Sequence, residues 1–146
     1  MTTLNLTPVS AKNNGDAREW ALCDYYGIER CKHDSKNYRV ASDVSVGDLH
    51  ISVKSAKATL MSGRYCKDCT TMQDIWTLYR NTTHSNMVAY VTREFVAYMM
   101  TMDEFEQFVS LFGYITRDSM SNGGFNKIRF KDESKAMLKW LAENVT

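Results

Sequence analysis

The chain has 146 residues, a length that predicts one domain with a single core over residues 1–146. Its formal net charge is +1. The balanced charge excludes a global field for nucleic acid or membrane, and any polyanion site must come from local clusters of cations. No apolar run approaches the roughly 20 residues that span a bilayer. The N-terminus lacks the pattern of a signal peptide, and four cysteines beside nine methionines favour a reducing, cytoplasmic location.

The first half of the chain is predicted to form a helix followed by a β-hairpin. Residues 1–13 are polar and aperiodic, which indicates a flexible lead or a short edge segment. A helix is expected from Asp16 to Tyr26, stopped by Gly27. Two strands with alternating apolar residues follow, Arg39–Val46 and Leu49–Lys54.

The middle of the chain is predicted to add a helix and two strands. The polar run after Lys54 is expected to extend the second strand through Leu60 and then turn at Ser62-Gly63. Thr71-x-x-Asp74 resembles a capping box and opens a helix from about Met72 to Arg80. Residues 86–100 are rich in β-branched and aromatic side chains, which favours two strands joined near Arg93-Glu94.

The last third is predicted to be helix, hairpin and helix. Thr101-x-x-Glu104 is a capping box for a helix that Gly113 ends. The turn at 121–124 joins strands Tyr114–Asp118 and Phe125–Lys131, and Asp132 caps a final helix that runs to Asn144. This order predicts the α/β (α+β) class, with a mixed central sheet flanked by helices.

The register of the first hairpin follows from its turn. Glycine at the first position of the Gly47-Asp48 loop is typical of a type II′ turn. Val46 then faces Leu49, and Val44 faces Ile51. Because strand side chains alternate, one face is apolar and carries Val44, Val46, Leu49, Ile51 and Val53. The other face is polar and carries Asp43, Ser45, His50, Ser52 and Lys54.

An acid on one strand and an (acid)-x-Lys pair on the next are the parts of a metal-dependent phosphodiesterase site. The run SDVSVGDLHISVKS resembles the PD-(D/E)xK nucleases of the restriction-endonuclease-like fold, which also use a glutamate on an early helix. The resemblance covers roughly residues 15–79. It implies that Asp43 is the first motif acid, that Ser52-Val53-Lys54 matches the triplet, and that Glu19 is the helix glutamate. Gln73 would match the polar residue on the helix after the motif.

The resemblance implies a Mg²⁺- or Mn²⁺-dependent DNA endonuclease that acts as a homodimer. Glu19, Asp43 and the Val53 carbonyl would hold the metal, Lys54 would serve the attacking water, and Ser52 would be an outer residue. The small size suits a phage or mobile-element origin.

The second motif acid is replaced by Ser52, which keeps open a catalytically degenerate protein that binds DNA or a protein partner, such as an inhibitor of host defence. An Asp…Lys pair on neighbouring strands also fits a plain cross-strand salt bridge.

Two groups of cations predict a DNA-binding surface around this hairpin. Lysines and arginines alternate with Ile128 and Phe130 along the last strand, so one strand face is cationic. The residues expected to contact DNA are His50, Lys57, Arg64, Lys67, Arg117, Lys127, Arg129 and Lys131. An ordinary solvated edge strand gives the same pattern.

The spacing of the cysteines is compatible with a structural zinc site. Cys66 and Cys69 form a C-x₂-C pair, and Cys31 with His33 could complete a set of four ligands. Reduced thiols are the alternative, and the C-x-H half is unusual for zinc.

Overall fold

A computed structural model describes residues 2–30, 43–60, 68–117 and 126–145. The described residues form four helices and eight strands, which confirms the mixed α and β class. The helices are α1 (Asn14–Tyr26), α2 (Met72–Thr82), α3 (Met102–Phe112) and α4 (Lys135–Asn144). The strands are β1 (Thr3–Asn5), β2 (Val44–Val46), β3 (Leu49–Lys54), β4 (Thr59–Leu60), β5 (Met87–Val91), β6 (Val96–Thr101), β7 (Gly113–Arg117) and β8 (Asn126–Phe130).

The strands form two sheets. The central sheet has the order β1-β6-β5-β3-β2, and it is mixed, as predicted, because β3 and β5 run parallel while its other pairs are antiparallel. A smaller antiparallel sheet has the order β4-β8-β7. Helix α2 lies in the crossover between the parallel strands β3 and β5, which need a long connection.

Two clusters of buried side chains lie on opposite faces of the central sheet. The aliphatic core joins α1 to one face and includes Leu22, Val44, Ile51, Ala89 and Met99. The aromatic core joins the other face to the remaining helices and the small sheet. It includes Tyr79, Val88, Tyr90, Met100, Phe105, Phe108, Ile128, Phe130 and Met137. Strand β5 is therefore apolar on both faces, as expected of a strand buried in the middle of a sheet.

The predicted capping boxes are confirmed. The Thr71 hydroxyl accepts from the Asp74 N–H, and Thr101 does the same for Glu104. Gly27 ends α1 in the left-handed region, with φ of 68°. Helix α1 begins two residues earlier than predicted because Asn13 is its N-cap and accepts from the Asp16 N–H.

Two expectations were wrong, and one of two open alternatives was confirmed. The second strand does not extend through Leu60: Lys57 has a positive φ of 61°, and Thr59–Leu60 pairs with β8 in the small sheet. Asp132 does not cap α4. Ser134 does, while the Asp132 carboxylate accepts from the Glu133 N–H and the Arg93 guanidinium. Of the two alternatives for residues 1–13, a flexible lead or a short edge segment, residues 3–5 confirm the edge segment, because they form the edge strand β1.

Several expectations lie outside the described residues. They are the start of the first hairpin strand at 39–42, the turn at Ser62-Gly63 and the turn at 121–124. Among the described helices, none has both the length and the apolar character needed to cross a membrane.

Candidate functional site

The first hairpin has the predicted register. Val44 pairs with Ile51, and Val46 pairs with Leu49. Gly47 has a φ of 56°, and Asp48 has no positive φ, which fits the type II′ turn. The apolar face packs into the aliphatic core. The polar face therefore lies on the side of the aromatic core, with Ser52 beside Val88 and Lys54 beside Tyr90 on β5.

Asn86 fastens this hairpin to the start of β5, a role that the sequence did not indicate. Its side-chain carbonyl accepts from the His50 N–H at 2.9 Å, and its amide nitrogen donates to the Asp48 carbonyl at 2.8 Å. Its own backbone N–H donates to the His50 carbonyl at 2.9 Å. The hairpin is thus held at its turn as well as along β3.

Asp43 lies just before β2, and its side chain accepts a hydrogen bond that a backbone carbonyl of the neighbouring strand would otherwise accept. Its Oδ2 accepts a hydrogen bond of 2.8 Å from the backbone N–H of Val53. The N–H and C=O groups of one strand residue point to the same edge, so the Val53 carbonyl also lies on the Asp43 side. A carboxylate oxygen has a second lone pair, and the carboxylate has a second oxygen. Asp43 therefore keeps acceptor capacity beyond this bond.

Lys54 is the partly buried cation at the carboxyl end of β3. Its Nζ donates to the Thr59 carbonyl at 3.3 Å. Burial lowers the pKa of Lys54, and the negative charges of Asp43 and Glu19 oppose this effect. The lysine thus has both predicted acids as its charged neighbours.

Glu19 comes from the opposite face of the central sheet. It lies on the buried side of α1, with only 7% of its surface exposed, on the same stripe as Leu22 and Cys23. It therefore does not extend from the edge of the core into water. Its charge acts on Lys54, so α1 and the hairpin contribute acids to one end of β3 from two sides of the sheet.

Tyr79 is a site residue that the sequence did not reveal. It is buried on α2, with 7% of its surface exposed. Among the described residues, its hydroxyl has no hydrogen-bond partner of proper geometry, although the hydroxyls of Ser52 and Thr83 are its polar neighbours. Burial raises the pKa of Tyr79, and the Asp43 charge acts in the same direction. A neutral phenol therefore faces the Ser52 and Asp43 part of the site. The only sequence signal was a tyrosine on the apolar side of a helix, which equally describes a core residue.

Gln73 does not join this group. It is exposed near the beginning of α2, and its amide donates to the Thr77 hydroxyl at 3.1 Å. The polar face of the hairpin thus meets α2 through Tyr79 rather than through Gln73.

The predicted cationic strand is β8. Ile128 and Phe130 are buried, whereas Arg129 is exposed and Lys127 is partly exposed. Lys131 follows the strand and is exposed, as is Arg117 at the end of β7. The alternation that the sequence indicated is therefore present.

The other predicted DNA contacts are placed as follows. His50 is exposed, and its Nδ1 lies 3.2 Å from the Ser45 hydroxyl. Lys57 is exposed and forms an ion pair of 3.9 Å with Asp132. Arg64 and Lys67 lie outside the described residues.

The zinc hypothesis falls mostly outside the described chain, because Cys31, His33 and Cys66 are not among those residues. Cys69 is buried with the aromatic core. Within the described part, no group of three or more His, Cys, Asp and Glu side chains could hold a metal ion.

The residues at the end of β3 nevertheless fit Mg²⁺ chemistry. Magnesium is commonly bound by one or two carboxylates and completes its shell with water and substrate phosphate. Asp43 and Glu19 are two carboxylates that act on one lysine, and Asp43 retains free acceptor positions after its bond to Val53. Asp43 and Glu19 are therefore the two carboxylates here that could contribute to binding Mg²⁺, and Ser52 adds no charge to them.

No protein-family model, curated protein or solved structure matches this chain.

Proposed function

We propose that this protein is a metal-dependent endodeoxyribonuclease whose site comprises Glu19, Asp43 and Lys54. The observation that carries the proposal is the electrostatic environment of Lys54, which is desolvated and has these two acids as its charged neighbours. Glu19 and Asp43 lie 35 and 11 positions before Lys54 in the chain, and both act on its ammonium group. A simple cross-strand salt bridge needs neither the buried glutamate of α1 nor the burial of the lysine.

The proposed reaction is hydrolysis of a phosphodiester bond. Water attacks phosphorus, the bond to one ester oxygen breaks, the proton of the water passes to a base, and the leaving oxygen takes up a proton from solvent to become a hydroxyl. Burial lowers the pKa of Lys54, and a lysine with a lowered pKa is suited to accept that proton. A divalent metal on Asp43 and Glu19 would polarise the phosphate and stabilise the developing charge.

Tyr79 and Ser52 supply neutral hydroxyls beside the acids. Because its pKa is raised, the Tyr79 phenol remains a hydrogen-bond donor at neutral pH. Such a donor can hold a phosphate oxygen or a water without adding charge. In this arrangement Ser52 acts as a neutral hydroxyl beside Tyr79, and it is not required to bind the metal in place of the missing carboxylate.

The DNA and homodimer expectations belong to the same proposal. Arg117, Lys127, Arg129 and Lys131 lie on or beside the β7–β8 pair, where cations can bind phosphates regardless of base sequence. Strand β7 is the last strand of the small sheet; Ile115 on this strand and Leu111 near the end of α3 are exposed. An edge strand with exposed apolar side chains is a place where a second copy could add.

The test is cleavage of supercoiled plasmid and of branched DNA with Mg²⁺ or Mn²⁺. Asp43→Asn keeps an oxygen that can accept from Val53 and removes the charge. Lys54→Met keeps most of the side-chain volume and removes the amine. Each change is expected to slow cleavage by about 100-fold or more, the usual range for loss of an acid–base group. Asp48→Asn and Lys139→Met, at exposed positions, are the matched controls and should cleave normally.

A second candidate function is a degenerate member that binds DNA or a protein partner without cutting. The observation that favours it is Ser52, since the described residues contain no third acid at this site. Purified protein that binds DNA but does not cut under either metal would support this second function and refute the first. Cleavage that survives both Asp43→Asn and Lys54→Met would refute the site itself.

A further inference from the structure

Among the described residues, the outer face of the small sheet carries one exposed aromatic ring, Tyr114, together with cations and hydroxyls. Residues that pair across antiparallel strands share a face. Ile115 and Ile128 are one such pair, and Ile128 belongs to the aromatic core. The neighbouring pairs, Tyr114 with Arg129 and Thr116 with Lys127, therefore lie on the opposite, outward face.

Side-chain exposure agrees with this placement on β8, where Ile128 is buried and Arg129 is exposed, whereas the edge strand β7 is exposed on both faces, with Ile115 at 39%. Tyr114 is 41% exposed, and Arg129 is exposed as well. Thr59 on β4 pairs with Arg129 on its other side, so Thr59, Arg129 and Tyr114 form one row across the three strands. No described acid forms an ion pair with Arg129, and among described residues the Tyr114 ring has no cation stacked on it.

The proposed catalytic lysine contacts the backbone of the first strand in this row. The Lys54 ammonium donates to the Thr59 carbonyl at 3.3 Å, and Arg129 and Tyr114 follow on the next two strands. Neighbouring strands lie about 4.8 Å apart, so the row covers about 10 Å. A stacked nucleic-acid strand rises about 3.4 Å per nucleotide, so this distance corresponds to about three nucleotides.

We propose that the outer face of the small sheet binds single-stranded DNA next to the scissile phosphate, with an unpaired base stacked on Tyr114 and a phosphate held by Arg129. The inference rests on the DNA part of the proposed function and adds the kind of DNA: a substrate with an unpaired segment, such as a flap, a gap or an overhang. A base can stack on an exposed ring only where it is not already stacked within a duplex.

The face fits this occupant chemically. Arg129 and Lys127 supply positive charge, and the Thr59 and Thr116 hydroxyls can donate to phosphate oxygens. An aromatic ring combined with cations on a sheet is the usual platform for single strands. A protein partner or a second copy would need more apolar area than the one tyrosine ring that this row provides.

The experiment measures binding without cleavage. Fluorescence anisotropy with a labelled single-stranded oligonucleotide, a blunt duplex and an RNA of the same sequence is recorded in EDTA at several salt concentrations. The wild-type protein is expected to bind the single-stranded DNA more tightly than the duplex. Tyr114→Ala should weaken that binding by about tenfold or more, whereas Tyr114→Phe keeps the ring and should not.

The matched controls are another exposed tyrosine and another exposed arginine. Tyr25→Ala changes a tyrosine that is 49% exposed on α1 and should leave the affinity unchanged. Arg129→Ala should reduce the slope of log affinity against log salt by about 0.7, the value for one phosphate contact to a single strand. Arg80→Ala, at an exposed ion pair with Asp103, should not change the slope.

Several results would overturn the inference. These are equal or tighter binding of the duplex, an unchanged affinity of Tyr114→Ala, or tighter binding of RNA than of DNA. A shift in sedimentation from dimer to monomer by Tyr114→Ala, with the DNA affinity unchanged, would assign the face to contact between copies instead. Because no metal is present, single-strand binding through Tyr114 can hold even if nuclease activity is absent. Cleavage that depends on Lys54 but not on Tyr114 would refute only this inference.

Discussion

The two strand pairs β2–β3 and β7–β8 share an alternating pattern of apolar and polar residues but lie in opposite environments. Both alternate apolar and polar side chains, and both carry a cation in the polar row. In the first hairpin, Lys54 is desolvated and acted on by Asp43 and Glu19. In the second, Arg129 is exposed and forms no ion pair with a described residue. The alternating pattern alone therefore does not decide whether a cation on the polar face is buried or exposed; the elements that pack over that face decide it.

The largest expected difference between the hairpins concerns their apolar rows. Ile51 has no exposed surface, whereas Ile115 is 39% exposed. Ile51→Ala should lower the free energy of unfolding by about 2–5 kcal/mol, and Ile115→Ala by about 1 kcal/mol or less. Urea unfolding followed by circular dichroism measures both. Equal losses would mean that Ile115 is buried in solution, for example by a second copy.

The glycines of the two hairpins serve different needs. Gly47 supplies a positive φ, but Gly113 allows a close approach at the start of β7. A Cβ on Gly113 would lie 2.7 Å from the Val109 carbonyl oxygen and 2.9 Å from Ile128 Cγ2. Gly113→Ala should therefore cost about 1–3 kcal/mol in a denaturant titration.

The control for this glycine is Gly15→Ala near the beginning of α1. A Cβ there meets only the Asn13 Oδ1, at 3.4 Å. Alanine is the better helix former by about 0.8–1.0 kcal/mol, so this variant should be no less stable than the wild type. Two losses of the same size would contradict the assignment of Gly113 to a close contact.

Two variants of Asp43 distinguish the contribution of its charge from that of its hydrogen bond to the stability of the first hairpin. Asp43→Ala leaves the Val53 N–H without its acceptor and should cost about 1–3 kcal/mol. Asp43→Asn retains an acceptor and should be more stable than Asp43→Ala, although both should be inactive. Arg129→Ala in the second hairpin should stay within about 0.5 kcal/mol of wild type. A loss for Asp43→Asn that equals the loss for Asp43→Ala would show that the charge, and not the bond, stabilises the strand end.

The smallest expected effect is the pH dependence that Lys54 adds to stability. Its pKa is lowered in the folded protein, so between that pKa and the ordinary lysine value of about 10.4 the unfolded chain binds more protons. Stability due to Lys54 must then increase with pH across this window. Wild-type protein should gain stability relative to Lys54→Met as pH rises, in urea titrations from neutral pH to about pH 10. Arg129→Met, which removes a group that stays charged throughout, should show a constant difference.

The sequence predicted the first hairpin well because its signals are local. Gly47 determines the turn, the turn determines the register, and alternation then assigns every residue from Asp43 to Lys54 to a face. The convergence of Asp43, Lys54 and Glu19 could be expected only through the family resemblance, since the helix and the hairpin are separated in sequence. In the structure, the charges of Asp43 and Glu19 both raise the pKa of Lys54, against the effect of burial.

The parts that sequence reasoning missed depend on tertiary contacts. Nothing local marks Lys57 for a positive φ, so β4 was assigned to the wrong sheet. Asp132 and Ser134 are both good N-cap residues, and the choice between them depends on Arg93, which pairs with Asp132 from a distant turn. Tyr79 and Gln73 lie on the same helix, and only the packing of α2 decides which of them meets the hairpin.

The three hydrogen bonds of Asn86 have a consequence for how the chain finds its fold. Strand β5 has apolar residues on both faces, so hydrophobicity alone would tolerate a slip of one residue, which exchanges the two faces. Such a slip would turn Tyr90 towards α1 and Ala89 towards the large rings. By binding the backbone of both Asp48 and His50, Asn86 fixes β5 against the hairpin in one alignment. Asn86 thereby specifies the register of the parallel pair β3–β5. Substitution of Asn86 should therefore first increase the fraction of misfolded protein.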